Sequence, residues 1–301
     1  CKCFTPSGRL RDRLATSHPR PPAMRIFVLG NGSRAGVKEE AAKLLPVLQK
    51  QCEIVIFDLN QEKDLGAGAD LALVLGGDGA ILRAARQMGY HQVPVLGINL
   101  GKLGFLADLS PDDVRCCFSQ VVAGDYRITR HLMYECEVST PHSSETYLGL
   151  NEVVIRAGPP FRIVDLDLLV DGETASAISG DGLIISTPVG STGHNLSAGG
   201  PILGQELAAF VLTPICPHSL TSRPVVDSAT KVYTILLRQT TSGAFLVIDG
   251  QEAIPLAADH RVTVRRAPVE FGLVKVPGHS YYQTLRHKLR WGAGPNFRHE
   301  P

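Results

Sequence analysis

Asp70-Leu-Ala-Leu-Val-Leu-Gly-Gly-Asp-Gly79 decides the fold, because an unbroken apolar run ends there in glycines that hold a single carboxylate, Asp78. Leu71 to Leu75 has the length and continuous hydrophobicity of a strand buried on both faces, as in a parallel sheet. Ala80 to Met88 then reads as a helix. Glycine lets the backbone turn sharply and approach a ligand closely, and the helix start beyond it favours anions such as phosphate. Asp78 is therefore expected where a phosphorylated ligand could lie, or else it is the cap of an ordinary strand-to-helix turn.

Working outward, 301 residues suggest about two domains. Thirty Lys and Arg against 29 Asp and Glu give a net charge of +1. With no basic run interleaved with aromatics, a nucleic-acid partner is not expected. Nor is a membrane, since no apolar stretch approaches the roughly 18 residues of a span. The seven cysteines lack C-x-x-C spacing and read as reduced thiols of a cytoplasmic protein.

Residues 1–23 are rich in Arg, Pro and Ser and read as a disordered extension. Met24, directly before the first strand-like run, is the expected translation start. A transit peptide is the competing reading, against which the prolines argue. Met24 to Leu29, Val37 to Lys50 and Glu53 to Phe57 form a strand, a helix and a strand. Gly30 and Gly32 on a pyrophosphate with Asp58 on a ribose is one reading of this unit. The looser G-x-G-x-x-x-G spacing supports a structural turn instead. Val93 to Ile98 is the next strand. Lys102 follows a glycine, but the spacing and the missing Ser or Thr exclude a P-loop.

Near Val121 to Arg127 the texture changes to short β-prone runs: Tyr134 to Ser139, Tyr147 to Arg156, Ile163 to Val170, Gly182 to Ser186, Ala209 to Thr213, Lys231 to Leu237, Ala244 to Ile248 and Arg261 to Arg265. The expected fold class is an α/β N-terminal Rossmann-like domain plus a mostly antiparallel β-sandwich C-terminal domain. Its bounds are 24–123 for the nucleotide-binding part, completed by 272–292, then 124–271 for the β-rich substrate-binding part and 293–301 for a tail. Asp171-Gly172 and Asp249-Gly250 suit turns. Tyr282, Leu285 and Leu289 have helical spacing and are expected to pack back on the first domain.

Three further stretches carry polar residues that a β core does not need. Asn151-Glu152 offers an amide and a carboxylate side by side at the start of an apolar strand. Ser179-Gly-Asp-Gly182 leads into Leu183 to Pro201, a strand and then a loop dense in small hydroxyl and glycine residues, suited to wrapping a polar ligand. A strand-end cap and a merely flexible loop are the plain alternatives.

In order along the chain, Gly-Gly-Asp-Gly79, Asn151-Glu152, Gly180-Asp-Gly-Leu-Ile-Ile-Ser-Thr-Pro188, Gly190-Ser-Thr192, Leu196-Ser-Ala-Gly-Gly-Pro-Ile202 and Pro217-His-Ser-Leu-Thr-Ser-Arg-Pro224 resemble NAD kinases of the bacterial type, as does Leu285 to Gly292. The resemblance runs from about Met24 to Gly292. It implies transfer of a phosphoryl group from ATP, or polyphosphate, to the 2′-hydroxyl of the adenosine ribose of NAD, with Mg²⁺ or another divalent cation. It implies that Asp78 orients and deprotonates that hydroxyl or helps hold the metal, and that Gly76, Gly77 and Gly79 bring amides to phosphate. Asn151, Glu152, Asp181, Ser191, Thr192 and His194 would hold the dinucleotide, Phe105 would face the adenine, and Asp249 would lie near the ligand. Homo-oligomers are usual in the family. Alternatives are a lipid or sugar kinase sharing Gly-Gly-Asp-Gly and a non-catalytic NAD-binding protein.

The chain departs from the family strings at Ala80, Val189, Gly193-His194 and Ser179. Two hydroxyls are missing there, and at Ser179 so is an arginine that could meet phosphate. Arg83, Arg86 and Arg223 are the candidates to replace that cation.

Overall fold

The computed structural model describes residues 23–290 apart from 61, 64, 67, 102–103, 108, 160–161, 239–242 and 278–279. Nearly all of the expected extension, the 293–301 tail and Lys102 lie outside these. The apolar run of Leu71–Leu75 is the third strand of a parallel set. In chain order these elements are β1 (Arg25–Gly30), α1 (Val37–Gln49), β2 (Glu53–Asp58), β3 (Leu71–Leu75), α2 (Asp78–Met88), β4 (Val95–Ile98) and α3 (Pro111–Val122). Leu71, Leu73 and Leu75 pack with Leu44 and Leu48 of α1 and Phe118 of α3. Ala72 and Val74 face the other way, onto Ile81, Ala84 and Met88 of α2. Both faces of β3 are thus covered, which is why no polar residue interrupts it. Helix α3 was not anticipated; Ser110 and Asp113 close a capping box at its start, with Pro111 as its first residue.

The remainder is β5 (Arg127–Ser139), β6 (Ser144–Gly149), β7 (Glu152–Ala157), β8 (Val164–Val170), β9 (Glu173–Gly180), β10 (Gly182–Ser186), α4 (His194–Ser197), β11 (Ala209–Ile215), β12 (Val225–Ser228), β13 (Tyr233–Leu237), β14 (Ala244–Ile248), β15 (Glu252–Leu256), β16 (Arg261–Lys275) and α5 (Tyr281–Leu289). One sheet runs β2-β1-β3-β4-β16-β13-β8-β9, with β5 on β16 and β6 on β5. The other, antiparallel, runs β12-β11-β10-β7-β14-β15. Alternate residues of the facing layers, among them Tyr134, Val153, Ile155, Leu166, Ile185, Phe210, Tyr233 and Leu246, form the core between them.

Two expected runs change. Arg261 to Arg265 is only the start of β16, which continues for 15 residues and pairs in parallel with β4 at Leu273 and Val95. The 271/272 division therefore falls inside one strand. Tyr147 to Arg156 is not one strand but two, β6 in the larger sheet and β7 in the smaller, so the chain changes sheet at Leu150-Asn151. Leu148 to Leu150 and Val153 to Ile155 are buried on both sides of that break, so the apolar residues run up to it from either strand. Asp171-Gly172 and Asp249-Gly250 do make turns, and each of these four residues has a positive φ, between 49° and 86°.

Candidate active site

Asp78 is the first residue of α2, two positions earlier than its spacing suggested, with Gly77 as the N-cap and no side-chain cap. Gly76, at φ 138°, turns the chain out of β3. The Asp78 carboxylate faces the 104–107 loop. There Leu106 and Ala107 donate their amides to Oδ1 at 2.9 and 3.1 Å, and Phe105 donates to Oδ2 at 2.9 Å. A side chain at position 104 would overlap that carboxylate, so Gly104 is required there. Asp78 does not cap its own helix. It is clamped across the fold, with a lone pair left on Oδ2.

A cation that sequence reasoning missed approaches from the far end of the chain. Lys288, on α5, puts Nζ 3.9 Å from Asp78 Oδ2 and 4.3 Å from the centre of the Phe105 ring. Phe105 is buried, and Lys288 covers one face of its ring. The only advance signal was the helical spacing of Tyr282, Leu285 and Leu289, and of these Leu285 is buried while Tyr282 and Leu289 are exposed, so it gave neither the whole packed face nor what the lysine meets.

Asn151 and Glu152 sit where the chain passes between sheets. Their backbone is fixed by Asp249: its Oδ1 accepts from the amides of Asn151 at 2.8 Å and Glu152 at 3.1 Å and from the Tyr134 hydroxyl at 2.9 Å, and Oδ2 accepts from Leu150 at 2.9 Å. Their side chains are a different matter. Asn151 Oδ1 and Glu152 Oε2 are buried with no hydrogen-bond partner. Burial, and then the nearby Asp249 carboxylate, push the Glu152 acid up to about 8. Burial also raises Asp249, against the four hydrogen bonds that favour its charge. Orphaned polar atoms on so rigid a backbone are what a polar ligand would complete.

Three of the expected ligand residues have protein partners. Asp249 is buried with both oxygens engaged, and it positions Asn151-Glu152. Ser191 is fully buried; its hydroxyl donates to the Pro188 carbonyl at 2.6 Å and accepts from the Leu203 amide at 3.0 Å, pinning the loop. Asp181 precedes β10 at the Arg156 end of β7, whereas Ser186 lies beside Glu152. At about 3.3 Å per residue that is on the order of 17 Å away, and the Asp181 side chain bonds the Cys216 thiol instead. Thr192 is partly exposed, its hydroxyl donating to the Val189 carbonyl at 3.2 Å. His194 begins α4 on an exposed face, beside Gly193, whose Cβ position lies 3.8 Å from Glu152 Oε2. Burial and then Arg156 lower its pKa.

The turn after β14 connects the two groups. Gln251 Nε2 donates to the Gly79 carbonyl at 3.0 Å while Asp249, two residues earlier, holds Asn151-Glu152. Asp78 and the Asn151-Glu152 pair therefore share one anchor. The other glycine reading resolves as structure: Asp58 is buried and accepts from the amides of Asn60 and Lys63 and from Gln87 Nε2 at 2.8 to 3.0 Å. A Cβ at Gly30 would press on Leu59 and the Leu75 carbonyl.

Comparison with known proteins agrees with this arrangement. Residues 31–126 match the ATP-NAD kinase N-terminal domain and residues 150–276 match the ATP-NAD kinase C-terminal domain. An NAD kinase of Rhodopirellula baltica is 47% identical over 91% of this chain and 88% of its own length. One from Geobacter sulfurreducens is 41% identical over 76% and 81%. Among solved structures, yeast NADH kinase complexed with NADH aligns with a TM-score of 0.83 at 22% identity, covering 93% of this chain and 91% of its own. An NAD kinase from Archaeoglobus fulgidus in complex with ATP aligns at 0.72 and 28% identity, over 89% and 99%.

Proposed function

Because this chain belongs to the NAD kinase family, we propose that it transfers the γ-phosphoryl group of ATP, or a terminal phosphoryl of polyphosphate, to the 2′-hydroxyl of the adenosine ribose of NAD. The new bond joins the ribose oxygen to phosphorus, the bridging oxygen leaves with the donor remnant, and the hydroxyl proton is given up as NADP forms. The observation that carries the assignment is the Asp78 carboxylate clamped by three amides with only Oδ2 open, anchored to the same turn as the unpartnered Asn151 and Glu152 side chains.

Asp78 Oδ2 orients the hydroxyl and takes its proton late in the transfer. Asn151 Oδ1 and Glu152 Oε2 hold the dinucleotide, with Thr192 and His194 at the loop beside them. The exposed amides around Gly77 and Gly79 meet donor phosphates. A single open carboxylate oxygen suits Mg²⁺, which commonly takes one or two carboxylates, waters and substrate phosphates. Asp78 Oδ2 would be the residue atom holding the ion as the alternative to taking the hydroxyl proton, and the ion would neutralise charge on the donor. Lys288 supplies a protein cation at the same oxygen.

The described cysteines, Cys52, Cys116, Cys117, Cys136 and Cys216, are all free, which supports a reducing compartment, the cytoplasm. Incubating the protein with NAD, Mg²⁺ and either ATP or polyphosphate is expected to yield NADP; absence of product with both donors would refute the assignment.

A further inference from the structure

Beside the glycine turn lies a cavity of about 340 Å³. Gly76, Gly77 and Gly79 form one wall and Asn31, Arg34 and Arg83 reach it from β1, α2 and their loops. Its size is in the range of small-ligand sites. Among the described residues no acidic one lines it.

Resting on the kinase reading above, we propose that Arg34 and Arg83 clamp the terminal phosphates of the donor's polyphosphate chain in this cavity, so that they set donor affinity and not dinucleotide affinity. The neighbouring arginines show what distinguishes these two. Arg86 is paired with Glu252 at 3.1 Å and with Gln251 Oε1 at 3.1 Å. Arg223 donates to the carbonyls of Leu220 and Ser222. Among the described residues neither Arg34 nor Arg83 has an ion-pair or hydrogen-bond partner for its side chain, and Arg83 Nε is buried without one. Burial first, then the cations of Arg34 and Arg86, lower the Arg83 pKa. Both guanidinium groups line the one cavity, with no acidic residue beside them among the described residues.

Such an arrangement is uncomfortable empty and becomes favourable once an anion with several oxygens lies between the forks. Arg83 is one helical turn beyond Gly79, and Gly77 and Gly79 present open backbone on the same cavity. A phosphate held by the two arginines is then carried along the glycine turn toward Asp78.

The chemistry recognised is a chain of phosphates, whether it belongs to a nucleoside triphosphate or to inorganic polyphosphate. Arg34→Ala, Arg83→Met, which keeps an apolar stem, Arg83→Lys and the Arg34→Ala/Arg83→Met pair would be compared with the unaltered protein. Steady-state kinetics would be run with ATP and separately with inorganic polyphosphate, and binding of inorganic triphosphate would be followed by calorimetry. Loss of a charge-assisted pair is expected to raise donor KM by about ten- to a hundredfold, with NAD KM within about twofold and Arg83→Lys intermediate. A rise with both donors identifies phosphate as the recognised group; a rise with one identifies that donor as the occupant. Unchanged donor KM in the double variant, or equal rises in donor and NAD KM, would overturn the proposal. If the unaltered protein makes no NADP, the kinase reading fails and calorimetry decides alone: triphosphate binding lost in the double variant upholds the clamp, and no binding to the unaltered protein overturns it. Arg34 is exposed, so its single variant reports even where Arg83 variants fold poorly.

Discussion

Asp78 meets three backbone donors, so substituting it alters more than charge. In Asp78→Asn one amide N–H₂ must face at least one of the Phe105, Leu106 and Ala107 donors. We expect a fall in kcat of about 10² to 10⁴ from loss of the proton acceptor, together with a stability loss of about 1 to 3 kcal/mol from donors left facing one another. Kinetics and urea unfolding measure the two separately; a variant with full kcat would remove Asp78 from the chemistry. Glu152 gives a pH prediction. Its acid is raised from 4.5 to about 8 in the folded chain, so the folded state retains a proton that the unfolded state has lost. Stability of the ligand-free protein is therefore full below about pH 4.5, declines as pH rises through about 8 and is flat beyond. Glu152→Gln should flatten that decline in denaturant titrations at pH 5, 7 and 9; an unaltered slope would assign it elsewhere. At this scale the sequence pointed to Asp78, Asn151 and Glu152 because unusual polar residues interrupted apolar runs. It did not show the backbone partners of Ser191 and Asp249, since a motif gives a residue's position along the chain but not whether its lone pairs are already taken.

At the scale of elements, the Asp249-Gly250 turn is the informative one. Both residues adopt the left-handed conformation that a two-residue hairpin turn needs, and the Gln251 amide closes it on the Ile248 carbonyl at 2.9 Å. Asp249→Ala would strand the amides of Leu150, Asn151 and Glu152 in the interior, while the Tyr134 hydroxyl keeps the Glu152 carbonyl at 2.8 Å. A cost of about 3 to 5 kcal/mol is expected, with NAD KM raised far more than donor KM. Tyr134→Phe removes only one of the four donors and should cost about 1 kcal/mol. Equal stability of Asp249→Ala and the parent in guanidinium unfolding would rule out the clamp. Individual strands were legible as apolar runs, and the Asp-Gly pairs marked two turns correctly. The change of sheet at Leu150-Asn151 was not, although Gly149 and Asn151-Glu152 interrupt the run there, because a polar pair within an apolar run does not say which sheet the chain joins next.

Across the whole molecule, the contrast between helices alternating with strands and short strands in succession announced the two architectures. It could not announce that β16 belongs to both, since its 15 residues read like any β run once interrupted by the Pro268 region. The buried thiols test the integrity of the assembled layers. Cys136 is wholly buried between the sheets and its pKa is pushed up by burial; that of Cys52 is pushed up to about 11. Among the described cysteines, the exposed Cys116 and Cys216 should react with a thiol reagent in the native protein, while Cys136 should wait for unfolding. Mass spectrometry of tryptic peptides reads the order, and early labelling of Cys136 would contradict the packed sandwich.

The hairpin that grips Asn151-Glu152 through Asp249 and Gly79 through Gln251 also bears on how the reaction cycle runs. With one rigid reverse turn setting the spacing between acceptor wall and donor wall, neither substrate has to draw the layers together for the other. Addition should be random, with the KM for each substrate independent of the concentration of its partner, and the timing of turnover should rest with departure of products and not with any swing of one half of the molecule upon the other.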